Sequence, residues 1–213
     1  MKHLLGVYGA AGCGRGIMPL LRDQYPTSEL VFIDDGQAPS FINSHSIVDW
    51  ISFLECKASV KSVNIAIAAS RIRQTLAEKC AAVGIPLVEA RAASVVQMDD
   101  VVIGGGACLS PFVVLTSNIR IGQCFHANLN SYVEHDCVIG DFVTLAPGAK
   151  VNGNVVIGDH AYIGAGAVLR QGINIGAGAT VGMGAIVTRD VEPGVTVVGN
   201  PAKPLVKKGA GLL

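Results

Sequence analysis

The chain has 213 residues, of which 50% are hydrophobic and only 15% charged, with 16 basic and 16 acidic side chains. This balance excludes the basic patch or stripe of an electrostatic nucleic-acid binder, and it leaves little repulsion to keep copies apart, so self-association is expected. No stretch of about 18 apolar residues is present to span a bilayer, and Met1 to Tyr8 is too short and too quickly followed by glycines for a signal peptide, so a cytoplasmic location is expected.

Residues 3–8 read as a buried strand and lead into the glycine turn Gly9-Ala10-Ala11-Gly12-Cys13-Gly14. Ile17, Met18, Leu20 and Leu21 then fall at helical spacing, and Pro26 ends that helix. A second strand over residues 30–33 ends in Asp34-Asp35, giving a Rossmann-like β-turn-α-β unit with acidic residues about 20 positions beyond the glycines. The glycines are spaced G-x-x-G-x-G, not the G-x-G-x-x-G of a pyrophosphate cradle, and a dinucleotide enzyme needs two mononucleotide halves where only about 90 residues are available. NAD chemistry is therefore disfavoured. Two readings stay open: a half-sized domain that grips one nucleotide, and a tight turn with no ligand. A third strand over 63–68, a helix over about 71–83 and a short strand over 86–88 complete this part, and residues 88–99 bridge onward. The expected division is 1–90 as an α/β domain and 91–213 as a second, all-β domain.

From Ile103 an aliphatic or small residue recurs at every sixth position up to Val187: Leu109, Leu115, Ile121, Ala127, Val133, Ile139, Leu145 and onward without a break. A period of six fits neither a helix nor simple alternation, and it matches a hexapeptide-repeat parallel β-helix. A second small or apolar residue follows four positions after each ladder residue, so two inward positions per six fill a narrow core. Three hexapeptides per triangular coil give coils stacked at roughly 4.8 Å, stable only as a stack. The unbroken register predicts a prism with no loop extruded between Ile103 and Val187.

Polar residues concentrate where that pattern is otherwise bland. Ala127-Asn128-Leu129-Asn130-Ser131-Tyr132 precedes Val133-Glu134-His135-Asp136-Cys137-Val138. A histidine beside carboxylates suits a general base, since its ordinary pKa lies near neutral and a carboxylate can orient it. Solvated corner residues are the other reading. Residues 18 apart stack on successive coils, so Gly153 should lie above His135 and Ala146 above Asn128, making a notch for a thin acyl-pantetheine arm. The six cysteines, Cys13, Cys56, Cys80, Cys108, Cys124 and Cys137, contain no C-x-x-C pair. Reduced thiols are expected and structural zinc is not. Cys137 falls at an inward ladder position, which argues against an acyl-cysteine.

The chain resembles the bacterial hexapeptide acyltransferases that acetylate nucleotide-linked amino sugars, and their relatives described as sialic-acid O-acetyltransferases. The resemblance rests on Tyr8 to Gly14, Phe32-Ile33-Asp34-Asp35, Val133 to Gly140 and Val198-Gly199-Asn200-Pro201-Ala202-Lys203. It implies a left-handed parallel β-helix, a homotrimer with active sites at subunit interfaces, and acetyl-CoA as co-substrate with no metal. It further implies a UDP-amino-sugar held by Gly12, Cys13, Gly14, Asp34 and Asp35, and His135 as base supported by Asp136, with Asn128 and Glu134 beside it. The coenzyme would lie near Gly153, Ala146, Asn200, Pro201 and Lys203, with a backbone amide near Gly153 as oxyanion donor. Lys203, Lys207 and Lys208 would meet coenzyme phosphates or form a solvated tail. Relatives carry His where this chain has Cys13 and Thr144.

The activity so implied is N-acetylation of the 4-amino group of a UDP-linked amino-deoxy sugar, of the bacillosamine type in glycan precursor synthesis, by direct transfer. O-acetylation of sialic acid is the nearest alternative. More distant ones are a zinc-dependent hydratase using His126, His135 and His160, and a non-catalytic nucleotide-binding scaffold.

Overall fold

The computed structural model describes residues 3–36 and 40–205; Lys207 and Lys208 lie outside them. β1 (His3–Tyr8) runs parallel between β2 (Glu29–Ile33) and β5 (Val60–Ile65). Leu4 to Tyr8 are buried throughout, as suits a central parallel strand covered on both faces. The cover is α1 (Gly12–Gln24) and α3 (Ser70–Ala82), which bury Ile17, Met18 and Leu21, and Leu76, Ala77 and Cys80. β3 (Phe41–Ile42) and β4 (His45–Val48) form an antiparallel pair whose second strand lies parallel to β2, giving the order β3-β4-β2-β1-β5. These two strands and the short helix α2 (Trp50–Glu55) were not expected from the sequence, because none is long enough to display a period.

The third strand begins at Val60 and ends at Ile65, displaced from the expected 63–68. Lys61 and Ser62 obscure its start in the sequence. Leu87 makes the expected short pairing as a single parallel bridge to Val63.

Beyond it the chain winds as a three-sided parallel coil. Strand partners are 18 residues apart, as in Tyr132↔Lys150 and Val133↔Val151. Every ladder residue from Leu109 to Val187 is buried, together with the second inward set from Ala107 to Val191, in one continuous core. Each buried Val, Leu or Ile contributes about 1.5–3 kcal/mol gross, most of it offset by chain ordering. No loop interrupts the prism between Ile103 and Val187.

The coil starts earlier than the repeat suggested. Ala90–Arg91 already pairs with Cys108–Leu109, and Val96–Gln97 with Val114–Leu115, so the expected bridge is in fact the first turn. Ladder positions 91 and 97 are polar there, which the end of a stack tolerates because only one side carries a neighbouring coil. Arg91 turns to Glu89 at 2.6 Å and to Gln97 at 2.8 Å.

The three faces have different neighbours. The face built from Ala90–Arg91, Cys108–Leu109, His126–Ala127, Thr144–Leu145, Tyr162–Ile163 and Thr180–Val181 receives the N-terminal sheet, and is called the docking face below. The second face carries Val114–Leu115, Tyr132–Val133 and Lys150–Val151; the third carries Ile119–Ile121, Val138–Ile139 and Val156–Ile157.

Two buried polar side chains fasten the sheet to the docking face. Arg73, on α3, has no solvent exposure. Its Nη1 donates to the carbonyls of Ile67 and Ala68 at 3.0 and 2.8 Å, and its Nη2 to Phe142 O and to Thr144 Oγ1 at 2.9 Å for the latter. His126, on the docking face, meets Ile65 O through Nε2 at 3.0 Å. Its burial, with the Arg73 charge next in weight, pushes the imidazole pKa down to about 3.

Two outcomes follow from this joint. Arg73→Ala removes the donor to four main-chain carbonyls, those of Phe142 and Val143 buried and those of Ile67 and Ala68 part-buried, so the urea midpoint should drop by the equivalent of about 3 kcal/mol. The folded state holds His126 neutral, whereas the unfolded side chain takes up a proton near its ordinary value of about 6.5. Stability is therefore full above that pH and falls below it, by up to about 1.4 kcal/mol per pH unit. Urea titrations from pH 6.5 to 5 should show that slope in the parent and a shallower one in His126→Gln; equal slopes would refute the assignment.

Candidate functional site

The N-terminal end of α1 begins directly after β1. Gly14 is required there by packing: a Cβ on it would lie 1.8 Å from Gly9 O. It thus seats the helix on the strand. Gly12, by contrast, has nothing within 4 Å of its Cβ direction and borders open space. Ala11 offers no capping side chain, so the first amides of α1 and its dipole are directed at that space.

The space is a cavity of about 660 Å³ between α1 and the docking face, with Gly12, Cys13, Ala68, Asn128, Ala146 and Tyr162 among its walls. Four residues singled out in the sequence, from positions far apart in the chain, therefore share one cavity. Burial pushes the Cys13 thiol pKa up, which keeps it protonated and makes it a small apolar wall. Asn128 is half-buried, and its Nδ2 donates to Leu145 O at 2.8 Å, next to Ala146 as the 18-residue arithmetic predicts.

Asp34 and Asp35 stand at the end of β2, bordering a separate 240 Å³ cavity with Tyr8, Gly9, Ile67 and Ile72. Both carboxylates are already engaged. Asp34 accepts from the amides of Ala10 at 3.2 Å and Gly36 at 3.0 Å. Asp35 accepts from Tyr8 Oη, from Lys79 Nζ at 2.9 Å and from the Trp50 amide at 2.9 Å. Burial and the Asp35 carboxylate push the Tyr8 phenol pKa up, so the hydroxyl stays a donor. Within the chain these bonds brace the end of the sheet, and both residues, expected from the sequence to contact substrate, also border that cavity.

His135 lies at the corner between the second and third faces, on the far side of the second face from Asn128. It is half-exposed, and its Nδ1 lies 2.8 Å from Asp136 Oδ2. The Asp136 carboxyl is held below its ordinary pKa by hydrogen bonds from His135 and then from Asn118. The imidazole lies flat against Gly153: a Cβ there would meet His135 Cε1 at 2.5 Å and Nε2 at 2.6 Å. Glu134 accepts from the Gly153 amide at 3.1 Å. The amide expected from the sequence to be an oxyanion donor is thus directed at a carboxylate within the chain. Cys137 points inward with no exposure, its thiol pushed up in pKa by burial, as its ladder position required.

Asn200, Pro201 and Lys203 lie at the far end of the stack. Lys203–Pro204 turns back antiparallel on Val197–Val198, and Ala202 N donates to Ile186 O at 2.8 Å, so this segment closes the coil. Lys203 shares a 300 Å³ cavity with Arg189, which the sequence reading passed over. Arg189 stands 54 positions, or three coils, beyond His135 at the same corner, about 14 Å along the axis. The three histidines considered as zinc ligands do not converge within one chain: His126 is buried at the joint, His135 occupies its own corner, and His160 stacks on Phe142 at 5.2 Å. Among the described residues, no helix is long and apolar enough to cross a membrane.

Residues 136–171 match the family model described as bacterial transferase hexapeptide (six repeats), and residues 154–189 that of the hexapeptide repeat of succinyl-transferase. A protein named GDP-perosamine N-acetyltransferase from Escherichia coli is 45% identical over 158 residues, covering 72% of this chain and 72% of its own. Among solved structures, WeeI from Acinetobacter baumannii superposes with a TM-score of 0.93 at 50% identity, over 96% of this chain and 100% of its own. The acetyltransferase domain of PglB from Neisseria gonorrhoeae, in complex with acetyl coenzyme A, gives 0.90 at 31% identity over 96% and 100%.

Gly153→Ala tests the seat of the imidazole. Only the end of an exposed side chain must move, so the unfolding midpoint should change by less than about 1 kcal/mol. The ring resonances of His135 should shift clearly in NMR spectra, and unmoved resonances would show that the ring does not rest on this glycine.

Proposed function

The chain belongs to the hexapeptide-repeat nucleotide-sugar N-acetyltransferases, acetyl-CoA-dependent enzymes with a left-handed β-helix, and from that premise we propose that it acetylates the 4-amino group of a UDP-linked amino-deoxy sugar. One observation carries the proposal: a half-exposed imidazole held at Nδ1 by a carboxylate and resting on a glycine. That arrangement leaves Nε2 as the proton-accepting atom.

In this reading His135 Nε2 takes a proton from the acceptor amine as its nitrogen attacks the thioester carbonyl. Collapse of the tetrahedral adduct breaks the C–S bond, and the departing thiolate receives the proton back from the imidazolium. Asp136 stabilises the charged ring between these two steps. Direct transfer also agrees with the buried, protonated state of Cys137.

Residues 1–90 then act as a Rossmann-like nucleotide-sugar holder and residues 91–213 as the acetyltransferase part. The open N-terminus of α1 at Gly12 and Cys13 suits the diphosphate, because unpaired amides and the helix dipole both favour an anion. Bridging from the cavity to a base is a matter of copies. Within one chain the Asn128 cavity and His135 occupy opposite edges of the second face, so a homotrimer, with His135 of one copy facing the cavity of the next, would complete each site. Exposed Val138 and Val156, adjacent on the third face, with Val102 beyond the intervening Arg120, suit such a contact. The coenzyme would run up the His135 corner toward Arg189 and Lys203.

A second reading concerns the nucleotide alone. The 45%-identical relative carries the name of a GDP-linked sugar, which favours GDP-perosamine as an acceptor here too. O-acetylation of sialic acid is the third possibility. Acetyl-CoA consumption measured with UDP-4-amino-4,6-dideoxy-GlcNAc, GDP-perosamine and sialic acid separates them. Turnover with the first is expected; turnover with GDP-perosamine only selects the second reading, and turnover with sialic acid only refutes both N-acetylation readings. His135→Gln should lower kcat by about 10²–10⁴ with the preferred acceptor.

A further inference from the structure

We propose that Asn118 is a positioning residue for the base: it holds Asp136 in the orientation in which that carboxylate grips His135. The inference rests on His135 being the base. Asn118 sits one coil before Asp136, at the same corner, and its Nδ2 donates to Asp136 Oδ1 at 3.1 Å. The other carboxylate oxygen, Oδ2, faces His135 Nδ1. Each oxygen of Asp136 thus has one directed partner, and the plane of the carboxylate is set from both sides.

The arrangement follows from the coil. Asn118 and Asp136 both adopt left-handed backbone, at φ of 57° and 59°, which Asn and Asp tolerate better than other non-glycine residues. The Asp136 amide donates to Ser117 O at 3.0 Å, and the Asn154 amide to His135 O at 2.8 Å, so successive corners are stitched together and their side chains stack. Asp136 lies on the residue adjacent to His135, and its short side chain makes its hold on the ring dependent on the carboxylate angle.

Charge matters as much as direction. The neighbouring ionisable groups are Glu134 on the same corner, bonded to Gly153; Asp100 one coil before Asn118, paired with Arg120 at 2.9 Å; and Arg170 two coils beyond Glu134, with Nη1 3.4 Å from Thr188 O. Tyr132 and Lys150 lie on the second face beside it. Against that background, a neutral amide donor supports Asp136 without adding a second negative charge. An aspartate at position 118 would raise the proton affinity of the whole corner and hold the imidazole charged to higher pH.

Asn118→Gly and Asn118→Asp test this, with His135→Gln run alongside. Glycine keeps the left-handed backbone without strain and removes only the side chain. For Asn118→Gly, kcat should fall about tenfold, KM for both substrates should stay within twofold, and the acid limb of the kcat profile should move to lower pH. For Asn118→Asp the same limb should move to higher pH. A role in folding alone would shift neither limb and would appear in the urea midpoint. If His135→Gln is inactive while both Asn118 variants keep the parent kcat and pH profile, Asn118 does not position the base. If His135→Gln is as active as the parent, the assignment of His135 has failed, and the role of Asn118 with it.

Discussion

A guanidinium with no carboxylate partner among the described residues sits where the two halves of the chain meet, and the geometry of the cavity depends on it. Arg73 is wholly buried, and burial lowers its pKa, yet its nitrogens reach four main-chain carbonyls and one hydroxyl. Two of those carbonyls, of Ile67 and Ala68, belong to the segment that follows β5 and edges the cavity. The others belong to the coil. A planar, multiply donating cation can satisfy acceptors on both sides at once, which a lysine ammonium could not do with the same fixed directions. The sheet and the prism are therefore aligned by an interaction too directional to slide, and Ala68 and Asn128 keep their places around one space.

The prism supplies a different kind of precision. Its parallel register repeats every 18 residues, so a side chain at a corner has one neighbour before it and one after it along the axis. At the second-to-third corner that stack runs Asp100, Asn118, Asp136, Asn154, each in left-handed backbone, with His135 resting on Gly153 between them. A helix or loop would need several converging elements to brace an exposed imidazole in this way. Here the repeat itself provides the bracing, through polar residues placed at a few corners of the lattice.

This difference explains how much could be read from the sequence. The period of six, the inward position of Cys137, the stacking of Gly153 on His135 and of Ala146 by Asn128 were all legible, because a rigid repeat turns sequence distance into spatial distance. The N-terminal part has no such rule. Its two-residue strands and six-residue helix are shorter than any detectable period, and the engagement of Asp35 by Tyr8, Lys79 and Trp50 joins positions with no common spacing. Arg73 was invisible for the same reason: an arginine on an amphipathic helix looks solvated until the partner surface is known. Asn118 is reached by the same 18-residue arithmetic counted backward from Asp136, but as an Asn at a corner it carries no other mark in the sequence.

The proposed split of the site between copies would suit the shape of the prism. A three-sided coil about two residues wide on each face has no concave surface of its own, and its corners diverge from one another. The docking face gains concavity only because a second domain is fastened to it. Among the described residues the His135 corner has no such cover, and the uninterrupted ladder provides no loop to fold over it. A base so exposed would face bulk water, where its charge-stabilising partners are weakened by the high dielectric. Apposition of another copy would remove that water, and would do so with the outward valines of the third face, which otherwise expose apolar surface without a use. Oligomerisation in such a fold would then be the step that assembles a dry site from two half-sites, each of which is rigid before they meet.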